Sequence, residues 1–408
     1  MIIYIIRSFF LIIQLLVGSQ LMTPQSKTGD LPVIDISKKY SKKHLTLQDV
    51  ADVEYVRLET TDEVLMCGVS LSDVSVLASV TDKYIITYEL KRGDIFVFNR
   101  NGKIVDHFNR KGGGSQEYAY ISGHSGGVIF DEKNEEIFVC SHNQNKIQVY
   151  SLSGKYKRTL NFDGTGYSEI CNFNDETLLV YDEINYIDTF KTKKNQQPYR
   201  LISKQNGSTV DVLDINLPQR YSSTFNGNII RDGKSIPMKR IIDLQNNRYN
   251  GQDFMIADLS SDTMYALTRN KELSSLLVRK PSVHASEPLT VWSIVFTTDK
   301  YMMIRTVTLD WAKAGIPLAM SKSIKIFVYE FQSGEIYDLL FVNTSCPSIA
   351  WMGPQQPVST AKNTTAELIP VHTLKEYARL NFFKGDFEKF VEQLDDEDNP
   401  IVRIVKFK

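Results

Sequence analysis

The sequence predicts an all-β protein: a six-bladed β-propeller with a short C-terminal helical segment before a closing strand. Three observations lead there. A strand–turn–strand pattern with a glycine in the turn recurs along the chain. The copies are spaced as propeller blades are. The last residues form an isolated alternating strand, as a ring needs to join its ends.

The hairpins come first. Residues 95–103 (IFVFNRNGK) and 147–155 (IQVYSLSGK) share one design, and residues 326–335 (IFVYEFQSGE) repeat it. A weaker copy runs from Tyr199 to Gly207. Each is a run of β-forming residues, then a polar glycine turn, then a second strand. Upstream of each lies a further apolar strand, such as Tyr84–Thr87, Ile137–Cys140, Leu178–Tyr181 and Tyr301–Ile304. A unit therefore holds three or four strands. Gly102 and Gly154 are 52 residues apart, and Gly154 and Gly207 are 53 apart. The interval from Gly207 to Gly334 is 127 residues, room for two longer units with a degenerate hairpin at 259–280. One such sheet cannot bury both faces alone, so neighbours must stack.

The C-terminal part changes period. Residues 366–394 place apolar side chains at helical spacing (Leu374, Tyr377, Ala378, then Phe387, Phe390, Val391, Leu394), which predicts a pair of amphipathic helices. Pro400 stops any helix, and residues 400–407 alternate as a strand. That strand is expected to pair with an N-terminal one, within Val53–Leu58 or Val64–Val69.

The N-terminus carries an address. Residues 1–19 pair one charge, Arg7, with an apolar run to Val17 and a Gly18-Ser19 junction, the pattern of a secretory signal peptide. An uncleaved membrane anchor is the alternative, and the only route by which this chain would meet a membrane. Residues 20–44 read as an extension and 45–408 as a single propeller domain. Export to the periplasm or cell surface follows. The net charge of −1 argues against a nucleic-acid partner, which needs a basic field. Cys67, Cys140, Cys171 and Cys346 form no Cys-x-x-Cys and read as small buried hydrophobes.

Three stretches carry a resemblance to a known family: Glu54–Thr61, close to the family's opening strand; Ile95–Lys103 leading to Lys111–Tyr118; and Asp396–Val402, similar to its closing Asp-Asn-Pro strand. The chain resembles the six-bladed β-propeller proteins of Bacteroides-type cell envelopes, which are similar in architecture to NHL-repeat propellers. Ser115 stands where that family usually has proline. The resemblance implies export and a propeller, and no established reaction.

Motifs that carry chemistry are few. Gly123-His124-Ser125-Gly126-Gly127 matches Gly-x-Ser-x-Gly, but a strand follows it where a nucleophile elbow needs a helix. Asp232-Gly233-Lys234-Ser235 lacks the glycine a phosphate loop requires, because position 228 is Asn228. The run Gly112, Gly113, Gly114, with Glu117 and Tyr118, presents successive backbone amides that suit an anion. It equally suits an inter-blade turn anchored by Glu117 and Tyr118. Asp131, Asp182, Glu183 and Asn185 fall in turns where oxygen ligands for Ca²⁺ or Mg²⁺ arise, as in lactonase-like propellers, although no cofactor is required. His107 and His142 lie beside strands. Sequons at Asn206, Asn343 and Asn363 suggest exposed loops. Trp292, Trp311 and Trp351 read as packing between late blades or as platforms for sugars.

Two functions follow from these signals. One is a binding or scaffold propeller taking a glycan, a peptide or an envelope protein on its loops. The other is a metal-dependent, lactonase-like hydrolase. Phe382, Phe383 and Phe387 would matter if the terminal helices docked a partner.

Overall fold

In a computed structural model of the chain, the residues described are 31–66, 74–121, 126–141, 146–161, 167–182, 197–217, 219–221, 224–231, 234–241, 247–249, 253–308, 324–345, 350–351 and 359–408. Val33–Lys408 form one compact unit.

The unit is an all-β, propeller-like array of antiparallel meanders. The first blade runs through Ser75–Val80, Tyr84–Glu89, Asp94–Asn99 and Ile104–Asn109. The second is Val128–Asp131, Glu136–Ser141, Lys146–Ser151 and Tyr156–Asn161, and the third Tyr167–Asn172, Thr177–Asp182, Tyr199–Ser203 and Thr209–Val212. The fourth holds Asn247–Tyr249, Phe254–Ile256, Thr263–Leu267 and Leu273–Lys280. The fifth holds Thr290–Thr297, Tyr301–Thr308, Ile324–Glu330 and Ile336–Val342. A long hairpin, Thr224–Arg231 with Lys234–Ile241, stands apart as its own two-stranded sheet.

The repeated glycines explain the regular turns. Gly102 and Gly154 both have φ in the left-handed region, at 80° and 71°. Each turn follows a register shift in its hairpin, the signature of a bulge. A side chain would also collide with the preceding sheet. A Cβ on Gly102 would lie 2.1 Å from Arg57 O, and one on Gly154 2.4 Å from the Phe108 ring. The glycine thus sets both the turn and how closely sheets stack.

The expected six blades are corrected to five. The sixth unit is a three-stranded sheet in which Ile401–Phe407 lies between Thr364–Ile369 and Ala51–Arg57, antiparallel to both. It is assembled from the two ends of the chain and carries no glycine hairpin, so counting by period overstates it. Of the two partner strands offered, Val53–Leu58 and Val64–Val69, the first overlaps the observed Ala51–Arg57. Part of the predicted helical segment is also strand: residues 366–369 belong to Thr364–Ile369. After the four-residue helix α1 (Leu47–Val50), the helices that follow that strand are α2 (Val371–Arg379) and α3 (Asp386–Glu392).

The segment expected to be an extension joins the sheets instead. Val33–Asp35 adds parallel to the last strand of the fourth blade, and Lys42–Thr46 adds parallel to the last strand of the fifth. Ile34 and Ile36 are buried between those blades with Trp292 and Ile304. The core is a series of such seams. Val97 and Phe130 share one between the first and second blades, Phe138 and Leu178 one between the second and third, and Leu201 and Phe254 one between the third and fourth. Phe296 meets Phe407 where the fifth blade reaches the closing sheet, and Phe98 meets Val402 where that sheet reaches the first blade. The two faces of each strand therefore bury into different seams, which is why these strands are apolar on both sides.

Candidate functional site

Residues from three successive blades border an open cleft of about 630 Å³. In the second blade, Asp131 ends its strand and accepts from Asn134 Nδ2 at 2.8 Å, which closes the turn 132–135 and points Glu132 and Lys133 outward from it. In the third blade, Asn174 Oδ1 accepts from Glu176 N at 3.0 Å, Thr177 N at 2.9 Å and Thr177 Oγ1 at 2.8 Å, which fixes the turn carrying Asp175 and Glu176. In the fourth, Thr268 accepts from the amides of Lys271 and Glu272 and so presents Arg269. The Arg269 guanidinium lies 5.4 Å from the Phe254 ring centre, stacked as a cation–π pair. Asn172 completes the wall. Every described lining residue is polar or charged.

The back of the cleft is a chain of charges across the seam between the second and third blades. Lys204 Nζ meets Asp131 Oδ2 at 2.6 Å with both side chains almost wholly buried. Burial pulls the Lys204 ammonium below lysine's usual value, and the Asp131 carboxylate offsets only part of that. Arg158 donates to both oxygens of Glu136 at 2.7 and 2.6 Å, and its Nε donates to Lys204 O at 2.8 Å. Lys157 reaches the same carboxylate at 2.6 Å. Burial works to raise the Glu136 carboxyl, but the hydrogen bonds from Arg158 and Lys157 and their charges outweigh it and hold it below the usual range. At the exposed mouth, Lys133 pairs with Asp175 across the two blades. That contact lowers the Asp175 carboxyl and raises the Lys133 ammonium. Two oxygens on the wall, Glu132 Oε1 and Asn172 Oδ1, are shielded from solvent and accept no hydrogen bond.

Among the described residues singled out in the sequence, Asp131 alone lines this cleft. Asp182 is buried at the end of its own strand, 3.2 Å from Arg200, with its backbone oxygen accepting from Arg220. Asn185 and Glu183 lie outside the described residues. Among the described residues no three His, Cys, Asp or Glu side chains converge as a metal site. The glycine run sits between the first and second blades. There Gly114 N donates to Glu117 Oε2 at 2.7 Å, and a Cβ on Gly112 would lie 2.0 Å from that oxygen. The Gly114 amide is thus taken by Glu117, and the Gly112 amide donates to Tyr118 O at 3.0 Å, so both are engaged within the loop. Gly113 has open space where a Cβ would stand. Tyr118 is fully buried, donates to Gly93 O at 2.6 Å and accepts from Arg110 N at 2.9 Å, tying the loop to the first blade.

His107 pairs with Asp94 at 2.9 Å and stacks on Phe96, on the outer half of the first blade. His142, Ser125, Asp232, Gly233 and Trp311 lie outside the described residues. Trp292 is buried and donates to Ser261 O at 3.0 Å, a packing role. The Cys140 thiol is pushed up to about 12 by complete burial, which leaves it inert as a nucleophile. One expectation is corrected: Asn343 is buried and donates to Tyr55 at 3.1 Å, so that sequon is not an exposed loop. Of the phenylalanines at the terminal helices, Phe383 and Phe387 are buried, Phe387 stacking on Tyr55 at 4.0 Å, and Phe382 is half-buried.

Sequence reasoning missed Lys204, Asn172, Asn174 and Arg269. The Asn174 turn carried a usable signal, since Asn before a short polar run caps such turns. The others depend on partners in other blades.

Comparisons place the fold. The structure of the Bacteroides fragilis NCTC 9343 protein BF0058, whose name records export as inferred, aligns at 14% identity with a TM-score of 0.60, covering 92% of this chain and 99% of that one. A DUF4221 family member from Bacteroides vulgatus ATCC 8482 aligns at 12% identity with a TM-score of 0.46, covering 88% and 99%. No curated protein matches the sequence. A family model described as "Domain of unknown function (DUF4934)" matches residues 31–406.

Proposed function

The chain belongs to the DUF4934 family, and from that membership and the cleft we propose that it is an exported, non-catalytic recognition scaffold. Its ligand contact is the polar cleft between the turns of the second, third and fourth blades. One observation carries the reading: eight described residues from three blades, at strand ends and turns, line a single 630 Å³ space, and all of them are polar or charged. Spare hydrogen-bonding groups gathered on a rigid β framework suit recognition of a polar ligand. The signal-peptide pattern at residues 1–19 supports export. The Bacteroides fragilis relative's name points the same way.

The hydrolase reading is weaker at the residues it needs. Asp131 is matched by Lys204 and Asp182 by Arg200, so protein cations already hold the negative charge that would bind a divalent ion.

The test is an array of oligosaccharides and peptides probed with the wild-type protein and with Glu132→Ala/Asn172→Ala/Glu176→Ala. Binders lost in the triple variant but kept by an Asp94→Asn control, far from the cleft, are expected. Binders indifferent to the triple variant would overturn the site. Turnover of a lactone panel that is lost on chelation and in the triple variant would overturn the non-catalytic part.

A further inference from the structure

We propose that the group this cleft receives is a basic side chain, an arginine guanidinium or lysine ammonium, on a partner polypeptide; the inference rests on the recognition reading above. The seam shows its own rule. Carboxylates of the second blade hold cations of the same seam: Asp131 takes Lys204 from the third blade, and Glu136 takes Arg158 and Lys157. Glu132 lies between those two acids in sequence, lines the cleft and has one oxygen, Oε1, with no hydrogen-bond partner. A carboxylate oxygen held dry and unbonded is costly. Turning it onto an incoming N–H removes that cost, and charge-assisted bonds of this kind are the strong ones.

Charge points the same way. Four carboxylates line the cleft, Asp131, Glu132, Asp175 and Glu176, against two cations, Lys133 and Arg269; Lys204 behind Asp131 adds a third cation and leaves an excess of one negative charge. A cation completes that balance and an anion worsens it. Among the described residues the lining has no aromatic platform of the kind a sugar ring stacks on. Asn172 Oδ1, the second unbonded acceptor, suits the further N–H groups of a guanidinium.

The experiment titrates the protein with a fluorescent Gly-Arg-Gly-Arg-Gly peptide and with its citrulline twin, which keeps the shape and loses the charge. The arginine peptide is expected to bind at least about tenfold more tightly, the ratio a charged hydrogen bond supplies. Its affinity should fall with added salt. Glu132→Gln should remove most of the difference, and Glu176→Gln part of it, with the unfolding midpoint of each variant measured to confirm folding. Equal binding of the two peptides, or full discrimination by Glu132→Gln, would overturn the inference. The recognition reading fails separately: it falls if neither these peptides nor neutral oligosaccharides depend on the cleft. It stands if a neutral sugar binds there and the basic peptide does not, an outcome that sinks the inference alone.

Discussion

The fourth and fifth blades end on strands that the chain covers itself, whereas among the described residues no further strand pairs with the last strands of the first and third. Leu273–Lys280 and Ile336–Val342 receive the parallel segments Val33–Asp35 and Lys42–Thr46, and Ile34 seals the seam between them with no exposed surface. On the third blade, Val210 and Val212 are 51% and 40% exposed. Leu213 N bonds inward to Tyr199 O, so the amide of Val212 faces out. There the Asp211 side chain accepts it at 2.9 Å. Asp106 does the same for His107 N on the first blade, also at 2.9 Å. An edge amide is a template for unwanted pairing. The late blades solve the problem with a distant strand and the early blades with a local carboxylate. The lesson is that the early blades are self-contained units, while the late ones depend on the chain's own N-terminal segment.

The largest effect expected from that difference is at Ile34. Ile34→Asp places a charge in the dry seam and should cost about 4 kcal/mol or more, read from the urea midpoint. The adjacent and exposed Val33→Asp should stay within about 0.5 kcal/mol. Similar losses from both would show that the segment does not seal the late blades.

The early blades should be sensitive instead at their buried charges. Asp131→Ala strands Lys204 and should cost about 3–5 kcal/mol, while Asp131→Leu/Lys204→Met should recover most of it. A double variant as weak as the single would mean that the pair is not the cause.

A smaller effect concerns acid. The Glu136 carboxyl is depressed as described. For Asp94, burial pushes upward but is outweighed by hydrogen bonds from His107, Asn109 and Arg92. A carboxyl with a lowered folded value stabilises the fold above its ordinary value, and that contribution is lost as the pH falls through the folded one. Stability should therefore decline below about pH 4.5, the ordinary glutamate value, and Glu136→Gln should flatten that decline. An unchanged slope in the variant would remove Glu136 from the acid response.

The smallest change in stability belongs to Asp211→Ala, within about 0.5 kcal/mol. It should nonetheless promote concentration-dependent association, seen by light scattering, and Val210→Lys should reverse it. A variant that stays monomeric would show that the carboxylate guards nothing.

What the sequence disclosed and hid follows the same division. The hairpins at Gly102 and Gly154 were legible because a strand pattern and a left-handed turn are local facts. The pairing of Ile401–Phe407 with Ala51–Arg57 was legible because an alternating strand after Pro400 has to close the ring somewhere. The strands at 33–35 and 42–46 were not: parallel partners about 245 and 296 residues away leave no turn behind, only short runs that read as an extension. The blade count failed at the closing sheet, whose strands come from both ends and repeat nothing. At the site, Asp131 was visible as a turn acid, but its meaning was not. Lys204 looks like a solvated turn lysine until Asp131, 73 residues earlier, is placed beside it.

The most direct test of the account is amide hydrogen exchange on the protein with and without saturating Gly-Arg-Gly-Arg-Gly peptide. Slowed exchange confined to residues 131–136, 172–177 and 268–272 is predicted, with the corresponding turn 298–300 of the fifth blade unchanged. Protection at the fifth blade, or at the glycine loop 112–118 and not at the cleft, would contradict it.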